Sequence, residues 1–286
     1  MSGSPLASPS ATLAVLQRHG LYTKKSLGQH FLVDDNVVKR IVDLAEIDPT
    51  GRVLEIGPGI GTLTLALCDA AGSVVAVERD DKLLPVLAEM TAACGNLDIV
   101  RADAVSVSFD TLQGDEGLLP TAMVANLPYG VAATVVLRFL EGMESLCSAT
   151  VMVQAEVADR MAAVPGTKAY GAYTVKLGLL AEVKGRFAVA RTCFFPPPRV
   201  DSAVIRLERV SRSEPQEVLE AAARVAEAAF AQRRKTLRNS LKATLGSGFD
   251  VDRMLESAGI DGGLRAETLG VEDFVILGAE LHTQRL

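Results

Sequence analysis

Two kinds of apolar spacing divide this chain. Up to about residue 210, short apolar runs suited to strands alternate with stretches whose apolar positions recur every three or four residues. From Pro215 onward only the helical spacing remains. Val53–Ile56 reads as a buried parallel strand; Gly57, Pro58, Gly59 and Gly61 forbid its continuation, and Thr62-Leu-Thr-Leu-Ala-Leu restarts as a helix. Further strands are expected at Val74–Glu78, Leu97–Asp103, Thr121–Ala125 and Ala149–Gln154, with Val183–Ala190 and Ala203–Leu207 closing the sheet. Helices are expected after Asp34 or Asp35, whose carboxylate caps the run Val37, Val38, Ile41, Val42, Leu44, from Asp81, and over Gly171–Leu180. Alternation of this kind implies an α/β fold with a Rossmann-like, doubly wound sheet. Val218, Leu219, Ala222, Val225, Ala226, Ala229 and Phe230 then recur at helical spacing, with Pro215 near N1 and Gly246 ending the next helix. The expected organisation is a flexible Ser/Ala/Pro-rich extension over 1–20, an α/β domain over 21–210 and a small all-helical domain over 211–286.

Composition narrows the class. The 286 residues suffice for two domains, and with 49% hydrophobic and 22% charged residues the chain reads as globular and cytoplasmic. No apolar run reaches the roughly eighteen residues of a membrane helix, and Met1–Gly20 lacks the basic start of a secretory leader. Cys68, Cys94, Cys147 and Cys193 follow no metal-ligand spacing, so reduced core thiols and no metal are expected. The net charge of −6 is unevenly spread: residues 184–242 hold thirteen Lys or Arg against six Asp or Glu, about +7, leaving about −13 elsewhere. A local basic surface in an acidic chain suits a nucleic-acid partner, or is a solvated helix face, and Arg233, Arg234, Lys235 and Arg238 follow one another with no intervening acid.

The candidate chemistry lies at the strand ends. Glycines after the first strand let a ligand approach the backbone, and the following helix start offers free N–H groups. Glu78, at the end of the next strand, is placed to hold two ribose hydroxyls. The spacing is G-x-G-x-G, unlike the G-x-G-x-x-G of dinucleotide folds, so the nature of the cofactor has to come from elsewhere. Asp103, just past the third strand, is a candidate acceptor for an adenine amine or a plain turn former. Asn126-Leu127-Pro128-Tyr129 follows the fourth strand. An exocyclic base amine is a poor nucleophile because its lone pair is delocalised. Two acceptors, the Asn126 side-chain carbonyl and the Leu127 backbone carbonyl, would hold it towards a tetrahedral geometry; Pro128 stiffens the turn and Tyr129 can stack on the base. A loop carrying Gln29 and His30, pinned by the helix that follows, can close over the cofactor.

These blocks resemble the bacterial ribosomal RNA small-subunit adenine N6,N6-dimethyltransferases, the KsgA family, over about residues 21–278. The resemblance is carried by Lys25-Ser-Leu-Gly-Gln-His-Phe-Leu32, Glu55-Ile-Gly-Pro-Gly59, Glu78, Asp103, Asn126–Tyr129, Met152–Ala158, Phe194-Phe-Pro-Pro-Pro-Arg-Val-Asp-Ser-Ala203, Gln232–Leu241 and Arg265–Gly270. It implies a class I methyltransferase sheet that binds S-adenosyl-L-methionine, with His30 and Leu32 lining the cofactor site and the Gly57–Gly59 turn at the methionine part. Glu78 would then meet the ribose, Asp103 the cofactor's adenine, and Asn126 would lie between cofactor and substrate. Phe194 would form a second aromatic wall opposite Tyr129. Two positions depart from the family pattern: His30 stands where many members have Asn, and Ala155 where Lys is frequent.

The resemblance implies dimethylation of the N6 amines of two adjacent adenosines in a hairpin loop near the 3′ end of 16S rRNA, on an immature 30S subunit, by a monomeric enzyme without a membrane partner. The rivals are the related 23S rRNA adenine N6-methyltransferases of macrolide resistance, which usually carry Ile where Leu127 stands, a non-catalytic rRNA-binding assembly factor, and, more distantly, a nicotinamide-dependent oxidoreductase.

Overall fold

The computed structural model describes residues 3–21, 30–114, 117–246 and 248–284. By their internal contacts the residues divide into two units, Met1–Ala158 with Val183–Arg209, and Asp159–Glu182 with Val210–Leu286.

A seven-stranded sheet is the frame of the first unit. In chain order its strands are β2 (Arg52–Ile56), β3 (Ser73–Glu78), β4 (Leu97–Arg101), β5 (Ala122–Asn126), β6 (Ser148–Gln154), β7 (Ala181–Val189) and β9 (Ser202–Arg209), and across the sheet they run β4-β3-β2-β5-β6-β9-β7. The pairs from β4 to β6 are parallel, and β9 lies antiparallel to β6. The central strands β2, β3 and β5 are buried almost throughout, as their unbroken Val/Leu/Ala runs require of parallel strands covered on both faces. At the edge, β7 exposes Glu182, Lys184 and Arg186, charges that discourage pairing with another chain. Connections run outward from β2 through β3 to β4 and, on the other side, from β5 to β6. The sheet therefore reverses direction between β2 and β5, and open α/β sheets bind ligands at the carboxyl ends of strands at such a point.

Around the sheet lie α2 (Asp35–Ala45), α3 (Thr62–Ala70), α4 (Leu84–Met90) and α5 (Ala132–Gly142). The cap of α2 is Asp34, whose carboxylate accepts from the Asn36 and Val37 amides. A two-stranded ribbon pairs β1 (Phe31–Leu32) with β8 (Phe194–Phe195), setting Phe31 opposite Phe195 and Leu32 opposite Phe194.

Three expectations need correction. Residues 1–20 are not a loose extension: α1 (Pro9–Arg18) is capped by the Ser8 hydroxyl, and its Val15 and Leu16 pack with Phe31, Ile60, Leu83 and Val86. The buried positions Thr12, Val15 and Leu16 recur at helical spacing, but the short Ser/Ala/Pro-rich segment conceals it. Residues 159–182 go with the helical unit, because Tyr170 and, on α7 (Ala172–Leu180), Val175 and Leu179 bury their side chains among its helices. Cys147 is exposed, not a core side chain.

In the second unit α7 is joined by α8 (Gln216–Phe230), α9 (Leu237–Leu245), α10 (Val251–Ser257) and α11 (Val271–Thr283), and α6 (Ala155–Met161) leads into it from β6. Val225, Leu241, Met254, Phe274 and Leu277 form its core with Tyr170, whose hydroxyl donates to the Leu269 carbonyl at 2.8 Å. Among the described residues no helix is long and apolar enough to cross a membrane, and no cluster of His, Cys, Asp and Glu could hold a metal ion.

Candidate active site

A cleft of about 570 Å³ opens over the ends of β2, β3 and β5. The glycine turn forms its floor. Gly57 and Gly59 have φ of +71° and +62°, the left-handed region that side chains resist. A Cβ on Gly59 would stand 3.3 Å from the Phe31 ring, and one on Gly57 3.5 Å from Pro128. Backbone thus replaces side chain where a ligand has to come close. Downstream, α3 begins without a side-chain cap, which leaves its first amides to a ligand.

Glu78, the last residue of β3, lines the cleft and accepts from the amides of Gly59 at 3.2 Å and of Arg79 and Asp80 at 2.8 Å. Burial raises its pKa, and the three backbone donors oppose the rise. Asp103 is more exposed and is held below the usual carboxylate range, first by the Val105 amide and then by Arg79, whose guanidinium lies 3.1 Å away.

Asn126 ends β5, and its Nδ2 donates to the His30 carbonyl at 3.4 Å. With the amide nitrogen turned to His30, the side-chain carbonyl is left as the acceptor on offer. Leu127 is buried, and its N–H donates to the Met152 carbonyl of β6 at 3.1 Å. Pro128 and Tyr129 complete the corner on the cleft wall; the Tyr129 hydroxyl pairs with buried Ser202 at 2.6 Å, and burial raises its pKa.

The cleft therefore gathers His30, Leu32, Gly57, Gly59, Glu78, Asp103 and all of Asn126–Tyr129. Phe194 is not among them. It is 3% exposed and packs in the core with Leu32, Val38 and Ile41, because β8 pairs it directly with Leu32. Gln29 and the Lys24–Gly28 part of the expected closing loop lie outside the described residues. Sequence reasoning missed Glu55, which lines the same cleft but reads as one more position in a buried strand. Burial pushes its carboxyl up to about 8, with Thr64 lowering and Glu78 raising it further, and its Oε2 and the Thr62 hydroxyl have no partner.

These groups suit a cationic nucleoside. Glu78, Asp80, Asp81 and Asp103 outnumber the lining cations Arg79 and Lys82, while Glu55 holds its proton at neutral pH. Carboxylates at two strand ends can accept from hydroxyl and amine groups, and the unpartnered buried Glu55 carboxyl and Thr62 hydroxyl beside the glycine turn call for a polar partner, which they can meet as donor or acceptor.

In the helical unit the basic residues divide into two pairs. Arg233 donates to the Lys168 and Tyr170 carbonyls at 3.1 and 2.9 Å and lies 3.8 Å from Glu267, while Arg238 pairs with Asp252 at 3.1 Å. Arg234 and Lys235 are exposed and have no partner among the described residues.

Comparison with known proteins places this geometry. The family model described as Ribosomal RNA adenine dimethylase matches residues 20–282. The "Ribosomal RNA small subunit methyltransferase A" of Magnetococcus marinus is 46% identical over 266 residues, covering 92% of this chain and 93% of its own, and that of Nocardia farcinica is 44% identical, covering 96% and 95%. Among solved structures, the 23S rRNA methyltransferase ErmE aligns with TM-score 0.65 and 29% identity over 88% of this chain and 99% of its own. A dimethyladenosine transferase from Plasmodium falciparum shares the fold with TM-score 0.76 at 23% identity, covering 90% and 99%. With a glycine turn, two strand-end carboxylates and an Asn-Leu-Pro-Tyr corner on one cleft, and a match spanning nearly its whole length, the chain belongs to the ribosomal RNA adenine dimethylase family.

Proposed function

We propose that the protein transfers methyl groups from S-adenosylmethionine to the N6 amines of two adjacent adenosines near the 3′ end of 16S rRNA, acting on an immature 30S subunit in the cytoplasm. The observation that carries this reading is that the Asn126–Tyr129 corner lines the same cleft as Gly57, Gly59, Glu78 and Asp103. When bound, S-adenosylmethionine supplies an electrophilic methyl group on a sulfonium. Glu78 would hold its ribose, Asp103 its adenine amine, and the Gly57–Gly59 turn its methionine part.

The protein's own groups then act on the adenine. Asn126, its amide held by the His30 carbonyl, offers Oδ1 to one N6 hydrogen, and the Leu127 carbonyl takes the other. Together they turn the lone pair out of the ring plane. Tyr129, fixed through Ser202, stacks on the base. Catalysis is mainly positioning and fixed dipoles, with no tuned general base, because the proton becomes acidic only after methylation and passes to water. A loop nucleotide leaves its stack for such a pocket at low cost. Arg234 and Lys235 would grip phosphates.

The macrolide-resistance reading finds support in the likeness to ErmE, but the curated relatives of higher identity are small-subunit enzymes and Leu127 stands where that class usually has Ile. The test is methyl transfer to immature 30S and to 50S particles, followed by mass spectrometry of the nucleosides. N6,N6-dimethyladenosine in the 30S sample is expected; label confined to the 50S sample would overturn the proposal.

A further inference from the structure

The turn that carries Asp103 is held from two sides. From within, the Asp103 carbonyl accepts from the Ser106 and Val107 amides at 3.0 and 2.8 Å, and its Oδ1 accepts from the Val105 amide at 2.9 Å. Those bonds use the amides of the turn. The carbonyls of Ala104 and Val107 are met from outside, by Arg138 of α5: its Nη1 donates to Ala104 at 3.2 Å and its Nη2 to Val107, so one planar fork holds two backbone acceptors three residues apart. The guanidinium carbon lies 4.5 Å from the centroid of the Phe109 ring and 5.1 Å from that of Phe139. Phe109, where the turn ends, is itself pressed on α5: its ring centroid is 5.2 Å from that of Phe139, and a Cβ on Gly142 would collide with it. Ala102, Asp103 and Ala104 line the cleft, and Arg138 stands behind them. Water could satisfy two carbonyls of a partly exposed turn, so a stacked fork spent on them fixes a shape rather than filling a need.

We infer that Arg138 is a positioning residue for adenine recognition: by holding the Ala104 and Val107 carbonyls it sets the Asp103 carboxylate where a 6-amino purine nucleoside is accepted and a 6-oxo one is not. This rests on the proposed function, in which Asp103 meets the cofactor's adenine amine. A carboxylate accepts from an amine and has no donor for a carbonyl in the same place, so the discrimination is as sharp as the carboxylate is fixed. The Asp103 side chain is partly exposed, and its Oδ2 is shared with exposed Arg79, a pair that water and salt weaken. The turn beneath it therefore supplies the fixation. Since α5 follows directly on the Asn126–Tyr129 corner, the same helix also gives the adenine end and the reacting end of the cleft a common reference.

The experiment measures calorimetric affinities for S-adenosylhomocysteine and for S-inosylhomocysteine, which carries a 6-oxo group in place of the amine, and takes their ratio. Wild type is expected to prefer the adenosyl compound about 10- to 100-fold, as a hydrogen bond to a charged group gives. Arg138→Met keeps an apolar stem against Phe109 and loses the fork; it should lower the ratio about five- to tenfold, almost wholly through weaker S-adenosylhomocysteine binding. Arg138→Lys, with one compact donor head, should fall between the two and serves where the Met variant does not fold. The matched control is Arg209→Met. Arg209 likewise forks onto backbone carbonyls, those of Leu140, Met143 and Leu146, away from the adenine turn, so its loss should lower Tm yet leave the ratio within about twofold of wild type. On 30S particles Arg138→Met should raise KM for S-adenosylmethionine while kcat at saturation stays within about threefold. A wild-type ratio in both Arg138 variants, or an equal fall in Arg209→Met, would overturn the inference and leave Arg138 a structural brace. Wild type that bound neither nucleoside would sink the proposed function instead; wild type that discriminates, with unresponsive Arg138 variants, removes only this role.

Discussion

The cleft of the first unit and the basic segment of the second were both legible as patterns, yet they differ in what fixes them. In the cleft the decisive groups are backbone or stand beside it: left-handed glycines, strand-end carboxylates and a proline corner, all placed by where strands stop. In the basic segment the groups are long side chains whose availability depends on partners far away in sequence. Arg233 is engaged 63 and 65 residues back in the chain, at Tyr170 and Lys168, and Arg238 is held by Asp252. Four cations within six residues thus become two paired and two free charges. Strand-end chemistry can be read locally, whereas a charge is free or engaged only in the folded molecule.

Substitutions can break this contrast. The largest effect is expected at the corner: Asn126→Ala should lower kcat about 100- to 1000-fold, as loss of a preorganised hydrogen-bonding group does, with cofactor affinity nearly unchanged in calorimetry. Next is the carboxyl that the strand pattern concealed. Glu55 binds its proton more tightly folded than unfolded, so stability is fully present below its unfolded pKa near 4.5 and is lost as pH rises towards about 8. Glu55→Gln should remove much of that decline, leaving the variant more stable than wild type at pH 9 by a few kcal/mol at most, read from urea midpoints at pH 5 and pH 9. Glu78, also raised, keeps a residual slope of the same sign.

Gly59→Ala forces a side chain into a left-handed turn against Phe31 and should cost about 1–3 kcal/mol, seen as weaker nucleoside binding and a lower Tm. Smaller still, and aimed at the second region, Arg234→Ala with Lys235→Ala should weaken RNA binding several-fold and flatten its dependence on log salt by about two. Arg238→Ala should change that slope little if its charge is spent on Asp252, and as an exposed pair it should leave Tm almost unmoved. Equal flattening by Arg238→Ala and by Arg234→Ala would erase the distinction between the two regions.

What could be read from the chain follows the same line. The parallel strands were legible because buried strands are continuous apolar runs, and the reversal between β2 and β5 brought Gly57 and Asn126 together as the strand ends implied. That Phe194 faces the core could not be read from its motif, because its register is set by a two-residue pairing with Leu32 some 160 residues away. The brace α1 was missed because its partners Phe31, Ile60 and Leu83 are supplied by three separate elements. The membership of 159–182 in the helical unit likewise depends on where Tyr170 and Val175 find their neighbours, not on their own spacing.

The central claim is geometric: one corner presents a base amine to a methyl donor seated on the glycine turn. Its most direct test is a crystal structure with S-adenosylhomocysteine bound. The ligand should lie along Gly57–Gly59 with its ribose at Glu78, its adenine at Asp103 and its sulfur facing the Asn126 side-chain carbonyl. A ligand seated elsewhere, or an Asn126 side chain turned away from the sulfur, would contradict it.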